Sequence, residues 1–174
     1  MNGSLAIANR QRTISLNTRL LRGITKTLLT ELLKLEDFDL SIIIVRAPEM
    51  ARINQTFLQH EGSTDVITFD YADNVLPASR RQSGSNLPAG RRQHVHVEIF
   101  ICIDDALTQA REFRTTWQSE LTRYVIHGVL HLRGYDDIRA VDRRKMKREE
   151  NRLLKEITRL FPLKELGRGP RLGA

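Results

Sequence analysis

HGVLHLRGYDD, residues His127 to Asp137, places two histidines four residues apart, ahead of a glycine and two acids. The apolar residues around the histidines recur at helical spacing, so the segment predicts a helix that ends just before the glycine. Residues four apart share one face of a helix, and two imidazoles at that spacing can grip one zinc ion. Gly134 lets the chain turn off the helix and bring Asp136 or Asp137 back over the metal. The sequence therefore predicts a zinc site with His127, His131 and an aspartate as ligands.

The spacing of His127, His131, Gly134 and Asp137 is that of zinc sites of the metzincin type. In proteases with that layout, a glutamate after the first histidine is the general base that activates water. Here that residue is Gly128, which has no side chain, so we expect no peptidase activity. The alternative interpretation is purely structural, namely a core histidine, a helix-capping glycine and a turn.

The rest of the chain alternates between strand and helix patterns. LSIIIV predicts a buried strand, TDVITFDY an alternating strand and HVHVEIFICI a further strand, and an opening strand is expected within 5–16. Apolar residues at helical spacing predict helices over 17–35, 48–62, 104–113, 116–132 and 139–160. This order indicates an α+β or α/β fold with a mixed sheet of about four strands packed against four or five helices. We expect one domain over residues 1–165 and a flexible basic tail over 166–174.

The composition is strongly basic. The net charge is +7, and 22 of the 28 basic residues are arginine. Because guanidinium groups match phosphate oxygens, this charge favours a polyanionic partner, although it can also serve solubility alone. No apolar run approaches the roughly 20 residues that span a membrane, and no signal-peptide pattern is present, so we expect a cytoplasmic protein that does not enter a membrane.

Three segments resemble one known family. HGVLHLRGYDD resembles HGxLHLxGYDH, the hallmark of the YbeY family of rRNA-maturation endoribonucleases. TDVITF, from Thr64 to Phe69, is similar to that family's TDVLSF, and VEIFICID, from Val97 to Asp104, resembles its GDIxI strand. The resemblance covers roughly residues 40 to 160. It implies a single α+β domain that binds one zinc ion and cuts single-stranded RNA. It also implies a role in 3′-end maturation of small-subunit ribosomal RNA and in ribosome quality control.

By this resemblance, His127 and His131 match the first two zinc ligands, and Asp137 stands where the family has a third histidine. A carboxylate oxygen is acceptable to zinc, but its negative charge makes the metal a weaker Lewis acid and can relax metal preference. The family often has an arginine after the aromatic residue of the helix before TDVxxF. Leu58 follows Phe57 here, so any phosphate-gripping role falls to another residue.

Further site residues are expected on the strands and on the basic segment 75–95. Asp65 and Glu98 lie on strands that can face the zinc helix, so each is a weak catalytic candidate and a candidate partner for a ligand histidine. Each can equally cap a turn or pair with an arginine. The basic segment is expected either to track an RNA backbone or to be a solvated loop; its arginines are Arg80, Arg81, Arg91 and Arg92. RRKMKREENR, residues 143–152, is expected to be mostly a solvated helix face.

RNA supplies its own nucleophile, the 2′-hydroxyl, so a ribonuclease has less need of a glutamate at position 128. The sequence leaves open whether this hydroxyl or a zinc-activated water attacks the phosphate. Two other functions also stay open. One is a ribosome-associated RNA-binding factor with a structural zinc and little nuclease activity, and the other is a different metal-dependent hydrolase. A structural zinc normally has four protein ligands, whereas three leave a coordination position open.

Overall fold

The computed structural model describes residues 3–71, 76–77 and 96–169. Its strands are β1 (Gly3–Asn9), β2 (Ser15–Leu16), β3 (Phe38–Val45), β4 (Val66–Asp70), β5 (Leu76–Pro77), β6 (His96–Cys102) and β7 (Gly167–Arg168). Within this part of the chain, the main sheet has the order β1-β3-β6-β4-β5, with β5 adding a two-residue edge to four longer strands. β1, β3 and β6 are parallel, and β4 pairs antiparallel with both β6 and β5, so the expected mixed sheet is confirmed.

The helices follow the predicted order. They are α1 (Thr18–Thr27), α2 (Ala47–Ile53), α3 (Ile103–Glu112), α4 (Trp117–Leu132) and α5 (Ala140–Leu160). π-helical turns extend the first two, at Leu28–Leu32 and Asn54–Leu58. Asn17 begins α1, because its side chain accepts a hydrogen bond from the Leu20 amide at 3.0 Å. None of the described helices is both long and apolar enough to cross a membrane.

The core lies on both faces of the sheet. Ile42 and Ile44 of β3 lie in the larger apolar cluster, together with residues of α1, α4 and α5. The alternate residues Ile43 and Val45 lie in a smaller cluster with Met50 of α2. Successive side chains of a strand point to opposite faces, which explains why β3 reads as a continuous apolar run. The α+β fold class that the sequence predicts is therefore confirmed.

A close contact between α4 and β6 sets the position of the segment that carries His127 and His131. Gly128 is buried, and a Cβ added there would lie 2.8 Å from Ile99 Cγ2 and 2.9 Å from Ile99 Cδ1. Position 128 therefore faces the sheet, where no side chain fits. This packing gives a structural reason for the missing protease glutamate.

The sequence interpretation expected a flexible tail from residue 166, but residues 166–168 are part of the fold. Leu166 is fully buried, and Gly167 and Arg168 pair with Leu16 and Ser15 in the β2–β7 ribbon. Gly167 has φ +144°, and a Cβ there would lie 1.7 Å from the Ser15 carbonyl oxygen. Tertiary pairing of a short segment without its own apolar pattern explains why the boundary was placed too early.

Candidate metal centre

The two histidines and Asp137 come together at the end of α4. His127 and His131 lie on its last two turns, and their Nε2 atoms are 3.0 Å apart. Gly134 adopts φ +82°, the left-handed backbone that the sequence predicted for this position. Asp137 Oδ2 lies 3.8 Å from His127 Nε2, and one ligand atom from each of the three residues lies within 4.8 Å of the others. These residues can hold a metal ion.

Hydrogen bonds at the far ring nitrogens orient both imidazoles. His131 Nδ1 donates to the Tyr135 carbonyl oxygen at 3.1 Å, and His127 Nδ1 lies 2.6 Å from Glu150 Oε1. A carbonyl oxygen and an ionised carboxylate only accept hydrogen bonds, so both Nδ1 atoms carry the proton. In the neutral histidines, both Nε2 lone pairs therefore face each other across 3.0 Å, an arrangement that requires a proton or a cation between them. This donor set fits a divalent metal.

The charges around the pair differ between the two rings. Burial lowers the pKa of His127, but its hydrogen bond and charge interaction with Glu150 outweigh burial and leave the pKa raised. Burial and the charge of His127 lower the pKa of His131. Burial raises the pKa of Glu150, yet its hydrogen bond to His127 contributes most to a net lowering, so the carboxylate stays ionised. In the metal-free state, the two Nε2 atoms therefore share one additional proton over a range of pH.

Glu150 is the functional residue that the sequence interpretation missed. It was assigned to a mostly solvated helix face, but it is only 5% exposed. It lies on the buried stripe of α5 with Met146, Leu153 and Ile157, at helical spacing. Its second oxygen lies 3.5 Å from the guanidinium of Arg123 on α4. An acid inside an apolar stripe was the available signal, because a buried carboxylate needs a partner.

The two weak catalytic candidates separate in the structure. Asp65 lines a cleft together with His127. Glu98 instead accepts a hydrogen bond from the Tyr71 hydroxyl at 2.7 Å and lies 3.7 Å from His96 Nε2. Because the adjacent residue of β6 faces α4, the side chain at position 98 points to the opposite face of the sheet. The expectation that Glu98 can contact a ligand histidine was therefore wrong.

Other predicted residues lie away from the ligand atoms. Asp136 Oδ1 accepts a hydrogen bond from the Ile138 amide at 3.0 Å, so Asp136 caps the turn. Leu58 packs against the smaller apolar cluster and places no charge near the site. Four arginines of the basic segment lie outside the described residues: Arg80, Arg81, Arg91 and Arg92.

Three curated proteins with related sequences share one name. A protein from Salinibacter ruber named endoribonuclease YbeY is 32% identical over 118 residues, which cover 68% of this chain and 69% of that protein. One of the same name from Chlorobium luteolum is 40% identical over 108 residues, covering 62% of this chain and 66% of the relative. Another, from Alkaliphilus metalliredigens, is 25% identical over 157 residues and covers 88% and 95%.

The fold also has a solved counterpart. The solution structure of TM1509 from Thermotoga maritima matches with a TM-score of 0.60 and 26% identity, over 92% of this chain and 95% of that one. The family model described as endoribonuclease YbeY matches residues 6–158, which contain β3, β4, β6 and the whole metal centre. The chain therefore belongs to the endoribonuclease YbeY family.

Proposed function

We propose that this protein is a zinc-dependent endoribonuclease that cuts single-stranded RNA in the cytoplasm. We further propose that it acts on the 3′ end of small-subunit ribosomal RNA, during maturation and in ribosome quality control. The family and the endoribonuclease name of its relatives support RNA as the substrate class. The observation that carries the proposal is the 3.0 Å approach of two Nε2 atoms whose Nδ1 atoms are both engaged.

In this proposal, one zinc ion is held by Nε2 of His127, Nε2 of His131 and the carboxylate of Asp137. When bound, the ion supplies positive charge that stabilises the negative charge developing on a scissile phosphate. The chain's own contribution is orientation: Glu150 and the Tyr135 carbonyl hold the two rings in place before RNA arrives. Such partners of ligand histidines limit reorganisation when the site is used.

Asp65 is our candidate for accepting a proton at the reaction centre. Its Oδ1 accepts hydrogen bonds from the Thr64 hydroxyl at 3.1 Å and the Val66 amide at 2.9 Å. Its Oδ2 receives no hydrogen bond from any residue in the described ranges, so this oxygen can take the proton of an attacking hydroxyl. The nearby Tyr124 hydroxyl is a poor alternative, because burial raises its pKa and keeps it protonated.

Attack by the RNA 2′-oxygen would form a bond to phosphorus and expel the 5′-oxygen, leaving a 2′,3′-cyclic phosphate. Attack by water would leave a linear phosphate end instead. The products therefore report the nucleophile.

A structural zinc in an inactive RNA-binding factor is the competing function. Among the described residues, the grouped ligands number three, whereas structural zinc sites normally have four. Two of the ligands, His127 and Asp137, also line an open cleft rather than a closed core. Both features favour a catalytic metal.

The test is cleavage of a labelled single-stranded RNA by purified protein, compared with the same RNA in a duplex. Cleavage should stop with a chelator, return with added zinc and be absent from His131→Ala. A precursor that carries the 3′ end of small-subunit ribosomal RNA should be cut faster than unrelated RNA. Equal cleavage by His131→Ala, or cleavage that survives chelation, would exclude the proposed activity.

A further inference from the structure

A cleft of about 440 Å³ adjoins the metal centre. His127 and Asp137 form part of its wall, and the first two turns of α5 contribute Arg143, Arg144 and Lys147. All three of these cationic residues are solvent-exposed. The cleft therefore places several positive charges beside the ligands, on a helix segment that the sequence alone presented as an ordinary solvated face.

Two of the cationic side chains in the cleft are paired with other groups of the protein. Arg123 donates to Asn151 Oδ1 at 2.7 Å and lies 3.5 Å from Glu150. Arg143 donates to two backbone carbonyls of the loop before α5, including that of Asp137 at 3.1 Å. These guanidinium groups join α4 to α5 and hold the ligand loop. Part of each donor set is therefore engaged within the protein.

The remaining two cations are differently placed. Lys147 lies 3.5 Å from Glu150 Oε2, but its side chain is 59% exposed and its three donors are not exhausted. The Arg144 side chain has no hydrogen bond or ion pair with any residue of the described part of the chain. Residues three apart share a helix face, so Arg144 and Lys147 present their charges to the same opening.

We propose that this cleft binds a backbone phosphate of the RNA next to the cleaved bond, and that Arg144 is the residue that grips it. The inference rests on the proposed ribonuclease function. A planar guanidinium that is not paired within the protein can meet two phosphate oxygens at once, whereas an ammonium acts as a point charge. Lys147 adds a second, weaker contact one turn further along α5.

The charge of the cleft supports a phosphate rather than a neutral ligand. The carboxylates of Asp65, Asp137 and Glu150 also line it, so cations outnumber acids even before a divalent ion is counted. With the metal in place, the field favours an anion whose charge is shared by several oxygens. Two neighbouring phosphates of one RNA strand can then use the two parts of the cleft, one beside the metal ligands and the other at α5.

The experiment measures binding of a fluorescent single-stranded 2′-O-methyl RNA to zinc-loaded protein over a series of salt concentrations, with RNA integrity checked after each titration. The variants are Arg144→Ala, Arg144→Lys and the control Arg159→Ala. Arg159 is an exposed arginine on the same helix, paired with Glu156 at 3.4 Å. It lies about 22 Å further along the axis, outside the cleft.

Arg144→Ala should weaken binding about tenfold and reduce the slope of log K against log salt by about 0.7, the value for one phosphate contact on a single strand. Arg144→Lys should restore the slope but only part of the affinity, because lysine keeps the positive charge but cannot donate two parallel hydrogen bonds to one phosphate. Arg159→Ala should leave both quantities nearly unchanged. All variants should retain zinc, which separates loss of RNA contact from loss of the metal centre.

Equal effects of Arg144→Ala and Arg159→Ala would overturn the phosphate site, as would RNA binding that neither substitution alters. The proposed nuclease function is judged separately, from metal-dependent cleavage of unmodified RNA by the unaltered protein. If that protein binds RNA through Arg144 and cuts none, the nuclease proposal fails and the phosphate site stands. If it cuts RNA and Arg144→Ala behaves like the control, only the phosphate site fails.

Discussion

Glu150 Oε1 lies 2.6 Å from Nδ1 of His127, and this contact joins α5 to α4 across 23 residues of sequence. The carboxylate is buried and ionised, and it fixes which nitrogen of the imidazole faces the metal position.

Glu150→Gln should lower zinc affinity roughly 10- to 100-fold, because the neutral amide orients and polarises His127 less well. A competition titration against a chelating dye measures the change. Glu149→Gln is the matched control, since Glu149 pairs with Arg152 at 2.6 Å, away from the ligands. Equal affinities in the two variants would show that Glu150 has no part in metal binding.

Asp137→Ala should reduce the zinc content of the purified protein well below that of Asp136→Ala. Asp137 Oδ2 lies near His127 Nε2, whereas Asp136 Oδ1 caps the Ile138 amide. Elemental analysis after loading and desalting measures the stoichiometry. A larger loss in Asp136→Ala would mean that the third ligand has been misassigned.

Zinc affinity should fall with decreasing pH once the pH is below the raised pKa of His127. There the ion must displace one proton, so the apparent affinity should drop about tenfold per pH unit. The drop should steepen below the lowered pKa of His131, where a second proton competes.

The raised pKa of His127 also makes the stability of the metal-free protein depend on pH. His127 has a folded pKa above its ordinary value of 6.5, so its protonation stabilises the fold below pH 6.5. That contribution is lost as the pH rises through the raised pKa.

Zinc titrations across pH test the predicted fall in zinc affinity, and Glu150→Gln should move the onset of that fall to lower pH. An affinity independent of pH would contradict the hydrogen-bonding pattern assigned to the pair.

Gly128→Ala should destabilise the fold by roughly 1–3 kcal/mol, because the new methyl group meets Ile99 inside a packed core. Gly23→Ala on α1 is the control. A Cβ there meets only Phe161 Cε1, at 3.8 Å, so alanine should stabilise the helix by about 0.5–1 kcal/mol. Denaturant unfolding measures both changes. Tolerance of alanine at position 128 would show that α4 lies further from β6.

Asp65→Asn should lower kcat for RNA cleavage by roughly 10²- to 10⁴-fold, the usual contribution of a general base, while zinc content stays unchanged. Glu98→Gln is the control, since Glu98 contacts Tyr71 and His96 instead of the cleft. Single-turnover cleavage at saturating protein measures the chemical step. Normal turnover in Asp65→Asn would remove Asp65 from the mechanism.

The local features of the site were readable from the sequence because they depend on short spacings. A spacing of four residues places His127 and His131 on one helix face, and the glycine at 134 gives the turn its positive φ. The strands and helices followed from apolar periodicity in the same way. The spacing favoured Asp137 over Asp136 as the third ligand, although the exact path of the turn depends on the contacts around it.

The sequence by itself determined the two histidines, the glycine bend and the α+β order of elements, since each is set by residues within a few positions of one another. Only the tertiary structure decided that Glu150 supports His127, that Glu98 lies on the other face of the sheet and that Arg144 borders the metal centre. These relationships depend on how α5 packs against α4 and on which face of β6 that helix covers. Such choices are made by the whole core at once, so no short window of sequence contains them.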